Sequence, residues 1–350
     1  MITRSSKEQI DEYRTMNAVN QSMLKLLSVS GQAFLEVKQP EMFFEEKEHF
    51  LIGSAVDDFI TMGEEYWDNN YHVSNIVKPS EVIMSIVQQV FHSRTSDDWF
   101  QQDLLSAIDA HNYQSNWKPE TKVKKVSEEG ERYWLELINS ENKTVIDVNQ
   151  YAKVQSIVNQ LLTHNYTKGY FIGDKDRDIY YQVPIYFTLE DINVKALIDM
   201  IIVDHETGTI YPIDIKTIGD YTKNFDYQCY RRRYDIQASF YTEAVNHWKN
   251  QNFFSYKVSN FRFIVASTTK QCEPITFITT SDFISAGKYG SSKMRAFRIG
   301  EVQYNSEYYM YGYKKLIDIY KWHLENGFDK DYDVNANMGV FSIGSDYQRF

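Results

Sequence analysis

The stretch from Tyr180 to Ile218 constrains this chain more than any other part of it. Three segments of strand-like composition follow one another there, Tyr180 to Phe187, Val194 to Val203 and Ile210 to Ile218, separated by turn-rich residues. The middle segment is mostly apolar on both faces, as suits a strand buried between two layers, yet Asp199 interrupts it. A buried carboxylate is costly unless it is paired or holds a cation. In the third segment the two-residue period of a strand puts Asp214 and Lys216 on one face, roughly 6.6 Å apart, with Ile213 and Ile215 on the other. A four-residue loop from His205 to Gly208 would pair Asp204 with Thr209, and the same register sets Asp199 opposite Asp214. Carboxylates opposed in this way lie about 5 Å apart at Cβ and repel. A divalent cation between them, with the Ile215 backbone carbonyl as a further ligand and Lys216 as a nearby positive charge, makes sense of the arrangement. Such a cation orients and acidifies water and stabilises charge that builds on a phosphate, the requirements of phosphodiester hydrolysis. The competing reading of a bare D-x-K is a structural Asp199–Lys216 ion pair with Asp214 at the strand end.

Helical periodicity surrounds these strands. It predicts a short helix at Ser22 to Leu27, capped by Asn20 or Ser22, and a second over about Glu48 to Tyr66 with Ile52, Val56, Phe59, Ile60 and Gly63 on one face. Further helices are expected at Ser80 to Phe91 with Ser80 as cap, at about Asp97 to Ala110, and at Asn149 to Leu162. Polar runs at Glu128 to Glu131 and Ser140 to Lys143 bracket Tyr133 to Ile138, which reads as a strand in a surface hairpin. After the three strands come a helix from about Tyr234 to Trp248, strands at Phe261 to Ala266 and Ile275 to Ile278, and a helix from about Glu307 to Glu325. Its aromatic face, from Tyr308 to Trp322, is expected to pack rather than to stack bases. Strands flanked by helices in this order give an α/β or α+β fold.

Composition excludes several function classes. Hydrophobic residues at 43% and charged residues at 24% describe a chain with a packed core. A net charge of −11 argues against a whole surface that coats nucleic acid or anionic membrane, so any polyanion contact must be focused. Arg231, Arg232 and Arg233, with Lys223 upstream, form the compact basic run beside the strands, and guanidiniums suit phosphates. Arg233, Gln237 and Tyr241 recur at intervals of four, so one helix face would present a guanidinium, an amide and a phenol. Cys229 and Cys272 are too few for a disulfide scaffold, a four-cysteine zinc site or a four-cysteine iron–sulfur cluster, and a reducing cytoplasm is the expected compartment. The chain contains no run of ~18 apolar residues and no apolar leader at Met1 to Ile10, so neither membrane spanning nor export is expected. None of the eight histidines shows metal-ligand spacing, and no phosphate-binding G-x-x-x-x-G-K-[ST] loop occurs.

Four separated signals, taken in order, resemble the PD-(D/E)XK nuclease superfamily, in particular its RecB-like branch and phage or prophage exonucleases of the exonuclease VIII (RecE) and lambda exonuclease type. Ser22 to Leu27 resembles the opening S-x-L-K helix. Ile52 to Phe59 resembles the G-[ST]-x-[VL]-H/E helix, with Asp57 where the family has His or Glu, an oxygen donor kept. Lys195 to Asp199 followed by Asp214 to Thr217 is similar to the G-x-x-D…D-x-K-T core, and Tyr234 to Tyr241 to the Q-x-x-x-Y helix. Gln182 stands where a family strand often carries Glu, and it is not counted as a ligand. Physically, Gly53 lies one helical turn before Asp57, and its missing Cβ would let that helix approach the sheet.

The resemblance implies a restriction-endonuclease-like core, a central mixed β-sheet flanked by helices, with a helical insertion after the first core helix. It implies a single nuclease domain over 1–327, with a variable insertion at 63–145 and a catalytic sheet core at 180–280; the polar, Gly- and Asn-containing residues 328–350 are expected to form a loosely held tail. Asp57, Asp199, Asp214 and the Ile215 carbonyl would hold Mg²⁺, with Mn²⁺ as substitute, and Lys216 would complete the catalytic set with Asp199 and Asp214. Ser22, Arg231, Arg232, Arg233, Gln237 and Tyr241 would contact or support DNA. The implied activity is digestion of linear duplex from its ends, 5′ to 3′, leaving single strand for a recombination or annealing partner, with a toroidal homo-oligomer as the family's usual assembly. Two alternatives stand beside it: a structure-specific or single-strand nuclease, and a DNA-end-binding protein whose site is impaired by Asp57.

Overall fold

In the computed structural model the described residues are 1–37, 48–95, 97, 101–299 and 302–338, and they form two compact units. One comprises 1–62 and 157–350, the other 63–156.

The first unit opens with β1 (Ile2–Arg4), α1 (Lys7–Thr15), α2 (Gln21–Leu26), α3 (Gly31–Val37) and α4 (Glu48–Thr61). The second contains α5 (Glu64–Asn70), β2 (Tyr71–Ser74), α6 (Glu81–Ser93), α7 (Gln101–Ala110), α8 (Pro119–Asn139) and β3 (Thr144–Asp147), and the division falls inside α9 (Val148–Thr163). The first unit resumes with β4 (Arg177–Leu189), β5 (Ile192–Asp204), β6 (Thr209–Ile218), α10 (Phe225–Arg231), α11 (Tyr234–Asn252), β7 (Lys257–Val258), β8 (Arg262–Ser267) and β9 (Ile275–Ile278). It ends with α12 (Ser281–Tyr289), the hairpin β10 (Gly290–Ile299) and β11 (Val302–Tyr311), α13 (Tyr313–Asn326) and α14 (Tyr332–Ala336).

The sheet of the first unit runs β1-β4-β5-β6-β8-β9, with β7 also paired to β6. Pairing is mixed: β4, β5 and β6 are antiparallel neighbours, whereas β1 joins β4 and β8 joins β6 in parallel. This curled mixed sheet flanked by helices has the form of a restriction-endonuclease-like core. The β4–β5 turn consists of Glu190 and Asp191, both at positive φ, the geometry that matches strand twist in a two-residue hairpin. His205 to Gly208 make the four-residue β5–β6 loop and pair Asp204 with Thr209, as the strand pattern requires.

Apolar residues of α2, α11 and α13 close over one side of this sheet. Leu24, Ile185, Ala196, Ile236, Phe240, Leu316 and Ile317 belong to a single buried cluster. Helix α4 lies against β5 and β6 and buries Ile52, Val56 and Ile60. Lys195, although buried, keeps its charge solvated by main-chain oxygens: its Nζ donates to the carbonyls of Tyr13, Arg14 and Met16 at the C-terminal end of α1. The second unit has its own core, where Ile83, Ile86 and Val90 of α6 meet Leu104 and Ile108 of α7 and Val126 and Trp134 of α8.

Several local expectations are corrected. Tyr133 to Ile138 is not a strand but the last part of α8, because Val126, Tyr133 and Trp134 recur at helical spacing and are buried, while Glu128, Glu129 and Glu131 form its wet face. The helix expected over Glu48 to Tyr66 is two helices, broken at Gly63, whose φ of 93° is open to glycine and strained for other residues. Tyr308 lies in β11, and the following helix begins only at Tyr313, after Gly312. Ser80 precedes α6 without a side-chain capping bond, whereas Asn20 caps α2 through Met23 N. The helix expected from Asp97 is described from Gln101, with 98–100 outside the described residues. The start of the expected loose tail is packed: Phe328 stacks on Phe34, and Asp333 accepts from Tyr311 Oη at 2.9 Å; residues 339–350 lie outside the description.

Helix α12 approaches α11 so closely that a Cβ on Gly287 would collide with the Asp235 carbonyl oxygen, a backbone atom with little room to move. Gly287→Ala is expected to destabilise the protein by about 1–3 kcal/mol, read as a lower urea midpoint with unchanged slope.

Candidate active site

A cavity of about 810 Å³ opens in the first unit where α2, α4, β6 and α11 converge on β5. Its wall contains Asp57 and Gly53 of α4, Asp199 of β5, Asp214, Ile215 and Lys216 of β6, and Gln237 and Tyr241 of α11. Ser22 and Lys25 of α2 and Arg232 line it as well. Gly53 permits this closeness: a Cβ there would stand 2.9 Å from Thr217 Oγ1.

The ladder between β5 and β6 extends from Asp204–Thr209 to Met200–Ile213 and stops there. Asp199 and Asp214 are therefore next in register, but they do not face each other as a ladder pair. Instead Asp199 Oδ2 accepts the Ile215 main-chain N–H at 3.0 Å, so its carboxylate takes the place of a strand carbonyl. The ladder to β4 breaks at the same point, where Gln182, opposite Asp199, adopts φ +50°. Core-facing residues register the break: Val194, Ala196 and Ile198 before it, Ile201 and Val203 after it, a change from even to odd positions.

Each carboxylate has its own support. Asp214, 1% exposed, accepts from Gln237 Nε2 at 2.6 Å through Oδ1 and forms an ion pair with Lys216 Nζ at 2.5 Å through Oδ2. Asp57 Oδ2 accepts from Gln182 Nε2 at 3.0 Å, and the same amide donates to Thr61 Oγ1 at 2.9 Å. Asp57 Oδ1 is buried with no hydrogen-bond partner. Burial, reinforced by Asp58 and Asp214, pushes the Asp57 carboxyl up to about 7. Burial, and then Asp214 and Asp57, drive Asp199 well above the usual carboxylate range. Burial alone would lower Lys216, but the charges of Asp214 and Asp199 outweigh it and hold this ammonium above its ordinary value.

All-oxygen donors that repel one another, one of them an orphaned buried acceptor, suit a hard divalent cation. Among the described residues no group of three or more His, Cys, Asp and Glu already stands at ligating distance. Lys216 pairs with Asp214 Oδ2, while Gln237 holds Asp214 Oδ1 and Gln182 holds Asp57 Oδ2.

The basic run divides. Arg232 is exposed and lines the cavity; Arg231 is exposed and does not. Arg233 precedes α11 at φ +53°, outside the helix, so the expected stripe with Gln237 and Tyr241 is not formed. Its guanidinium grips Asp235 through two bonds of 2.9 Å and donates to the Tyr311 carbonyl at 2.7 Å. Tyr241 is buried, which pushes its phenol well above the ordinary range. Ser22 Oγ accepts from Gln21 Nε2.

Two contributors escaped the sequence pattern. The strand pattern does not mark Gln182 as a ligand, yet its amide orients Asp57. Lys25 sits in the cavity wall, and burial together with the nearby Lys216 charge pushes its amine down to about 8. The Lys of the S-x-L-K segment was the signal available for it.

No protein-family model matches the chain, and no curated protein matches it. Among solved structures, a chain from Eubacterium rectale described as a "putative exonuclease" aligns over 81% of this chain and 80% of its own, at 13% identity and a TM-score of 0.42. The cavity's own residues, rather than that likeness, carry the functional reading. No helix among the described residues is long and apolar enough to cross a membrane.

The raised Asp57 value has a signed consequence. Between the unfolded carboxylate value and about 7 the folded state binds more protons than the unfolded one, so this group's contribution to stability falls as pH rises through that window. In EDTA, Asp57→Asn is expected to raise Tm by roughly 2 °C or more at pH 8, with the gain shrinking toward pH 5. Mg²⁺ is expected to raise the wild-type Tm more at pH 8 than at pH 5, because protons compete for the same oxygens.

Proposed function

We propose that this chain is a metal-dependent deoxyribonuclease that hydrolyses phosphodiester bonds of linear double-stranded DNA from an end. The observation that carries the reading is the Asp199, Asp214 and Lys216 group on two adjacent strands at one cavity wall, with Asp57 brought to the same wall by α4. A purely structural ion pair accounts for Asp214 and Lys216. It leaves unexplained why Asp57 and Asp199 are kept beside them at the cost of raised carboxyl values.

Asp57, Asp199, Asp214 and the Ile215 carbonyl would hold Mg²⁺, or Mn²⁺ in its place, and the ion would supply an acidified water and a counter-charge for the phosphate. The protein's own groups have separable tasks. Gln237 and Gln182 fix the orientation of Asp214 and Asp57. Lys216 stands where its ammonium can hold the attacking water or meet the charge on the pentavalent phosphate. Ser22, Lys25 and Arg232 offer donors to the strand backbone from the cavity wall, and Arg231 extends that charge outward. Tyr241 lines the same wall one helical turn after Gln237, whereas Arg233, bound to Asp235, acts on the fold of this corner. Cleavage 5′ to 3′, delivery of single strand to an annealing partner, a toroidal homo-oligomer and a cytoplasmic location extend the proposal on the strength of the sequence resemblance.

Linear and covalently closed circular duplex should be incubated with Mg²⁺, wild type beside Lys216→Ala. The expected outcome is loss of the linear DNA alone, slowed by about 10²-fold or more in the variant. Cutting of the circle would replace the end-dependent reading with an endonuclease. DNA binding without cleavage at any divalent ion would leave a binding protein, and full activity of Lys216→Ala would remove this lysine from the mechanism.

A further inference from the structure

One edge of the cavity carries groups that the carboxylate chemistry does not use. Asp220 and Thr269 line the cavity, and the residue following each of them, Tyr221 and Lys270, meets the other at the rim. Tyr221 is 47% exposed. The Lys270 ammonium lies over its ring at 5.6 Å from the centroid and the Lys223 ammonium at 6.0 Å, at the outer reach of cation–π attraction. Neither lysine forms an ion pair among the described residues, although the Lys270 charge acts on the Asp220 carboxylate, which also accepts from the Tyr221 N–H and Asn224 Nδ2.

The rim is also anchored. Thr222 is buried, and its hydroxyl donates to the Glu273 carbonyl at 2.9 Å, tying the short 3-10 turn Thr222–Asn224 to the segment after Lys270. A lone exposed tyrosine needs no explanation. A tyrosine next to an anchored turn beside a candidate phosphodiesterase site, with two ammoniums over its ring that form no ion pair among the described residues, in a chain of net charge −11, does. Aromatic rings flanked by cations are the elements with which proteins hold unpaired nucleotides, base on ring and phosphates on ammoniums.

We infer that Tyr221, with Lys223 and Lys270, receives an unpaired nucleotide of the strand whose backbone enters the cavity. The inference rests on the nuclease reading and deepens it: the substrate is a strand with unpaired bases at the site, so an open or frayed end is taken in preference to a fully paired blunt one. A duplex base shows only its edges, and cannot lie on this ring until it leaves the stack.

The test uses a single-stranded oligonucleotide carrying 2-aminopurine, in Ca²⁺ to read binding, and in parallel Mg²⁺-dependent cleavage of blunt and overhanging duplexes. Wild type is expected to quench the 2-aminopurine. Tyr221→Ala is expected to lose the quench and bind the single strand about tenfold more weakly, with Tyr221→Trp retaining both. The double variant Lys223→Ala/Lys270→Ala should keep the quench while lowering the salt dependence of binding. Tyr221→Ala should also lose the preference for overhanging over blunt ends. Quenching and affinity unchanged in Tyr221→Ala, in a protein whose wild type cuts DNA, would overturn the stacking inference alone. A wild type that neither binds nor cuts DNA would overturn this inference together with the nuclease reading.

Discussion

Like charge held at close quarters is the constraint on which the first unit depends. Asp57, Asp199 and Asp214 arrive from a helix and two strands, and burial raises the cost of each negative charge. Lys216 offsets part of that cost, and amides and a main-chain N–H take most of the remaining oxygens. Each support requires a specific backbone feature. Asp199 reaches the Ile215 N–H because the β5–β6 ladder has already ended. Gln182 reaches Asp57 from a left-handed conformation within a strand, a strain that functional sites commonly store. Helix α4 comes near enough because Gly53 has no side chain. The surrounding hydrophobic core therefore does more than bury surface: it holds in place an arrangement that its own electrostatics oppose.

The central fold was legible because it is local. Runs rich in β-branched residues, bounded by turn residues, mark β4, β5 and β6, and the short loop at His205 to Gly208 fixes the β5–β6 register. The α/β character with a mixed sheet follows from those strands and the helices around them. Failures occurred where two periods fit the same residues. Tyr133, Trp134 and Leu135 suit a strand by composition, and only the repeat reaching back to Val126 reveals α8. The hairpin β10–β11 lacks a clean alternation of apolar and polar residues, and its second strand was absorbed into the helix that follows.

The site divides in the same way. Spacing alone puts Asp214 and Lys216 on one face, because a strand of any twist does so. Nothing in the spacing reveals that Gln182 leaves the ladder, since its side-chain partners, Asp57 and Thr61, lie far along the chain. Arg233 shows the converse: at a helical interval from Gln237, it belongs to the turn before the helix and bonds to Asp235. Intervals of four describe a helix face only where the chain is already helical, and a cap residue is not.

The separation of Asp57 from its partners in the chain bears on when the cavity can exist. Gln182, which orients Asp57, lies 125 residues further on, and a unit with its own core is encoded between them. Asp214, Lys216 and Gln237 come later still. During synthesis α4 must therefore wait, its carboxylates in water, while some 90 residues of independent structure are made and can fold first. A polypeptide interrupted before β6 holds Asp57, and once β5 is made Asp199 as well, but neither Asp214 nor Lys216 to complete the group. The cavity can close only once α11 has been made, after the chain has become able to bury the charges that line it.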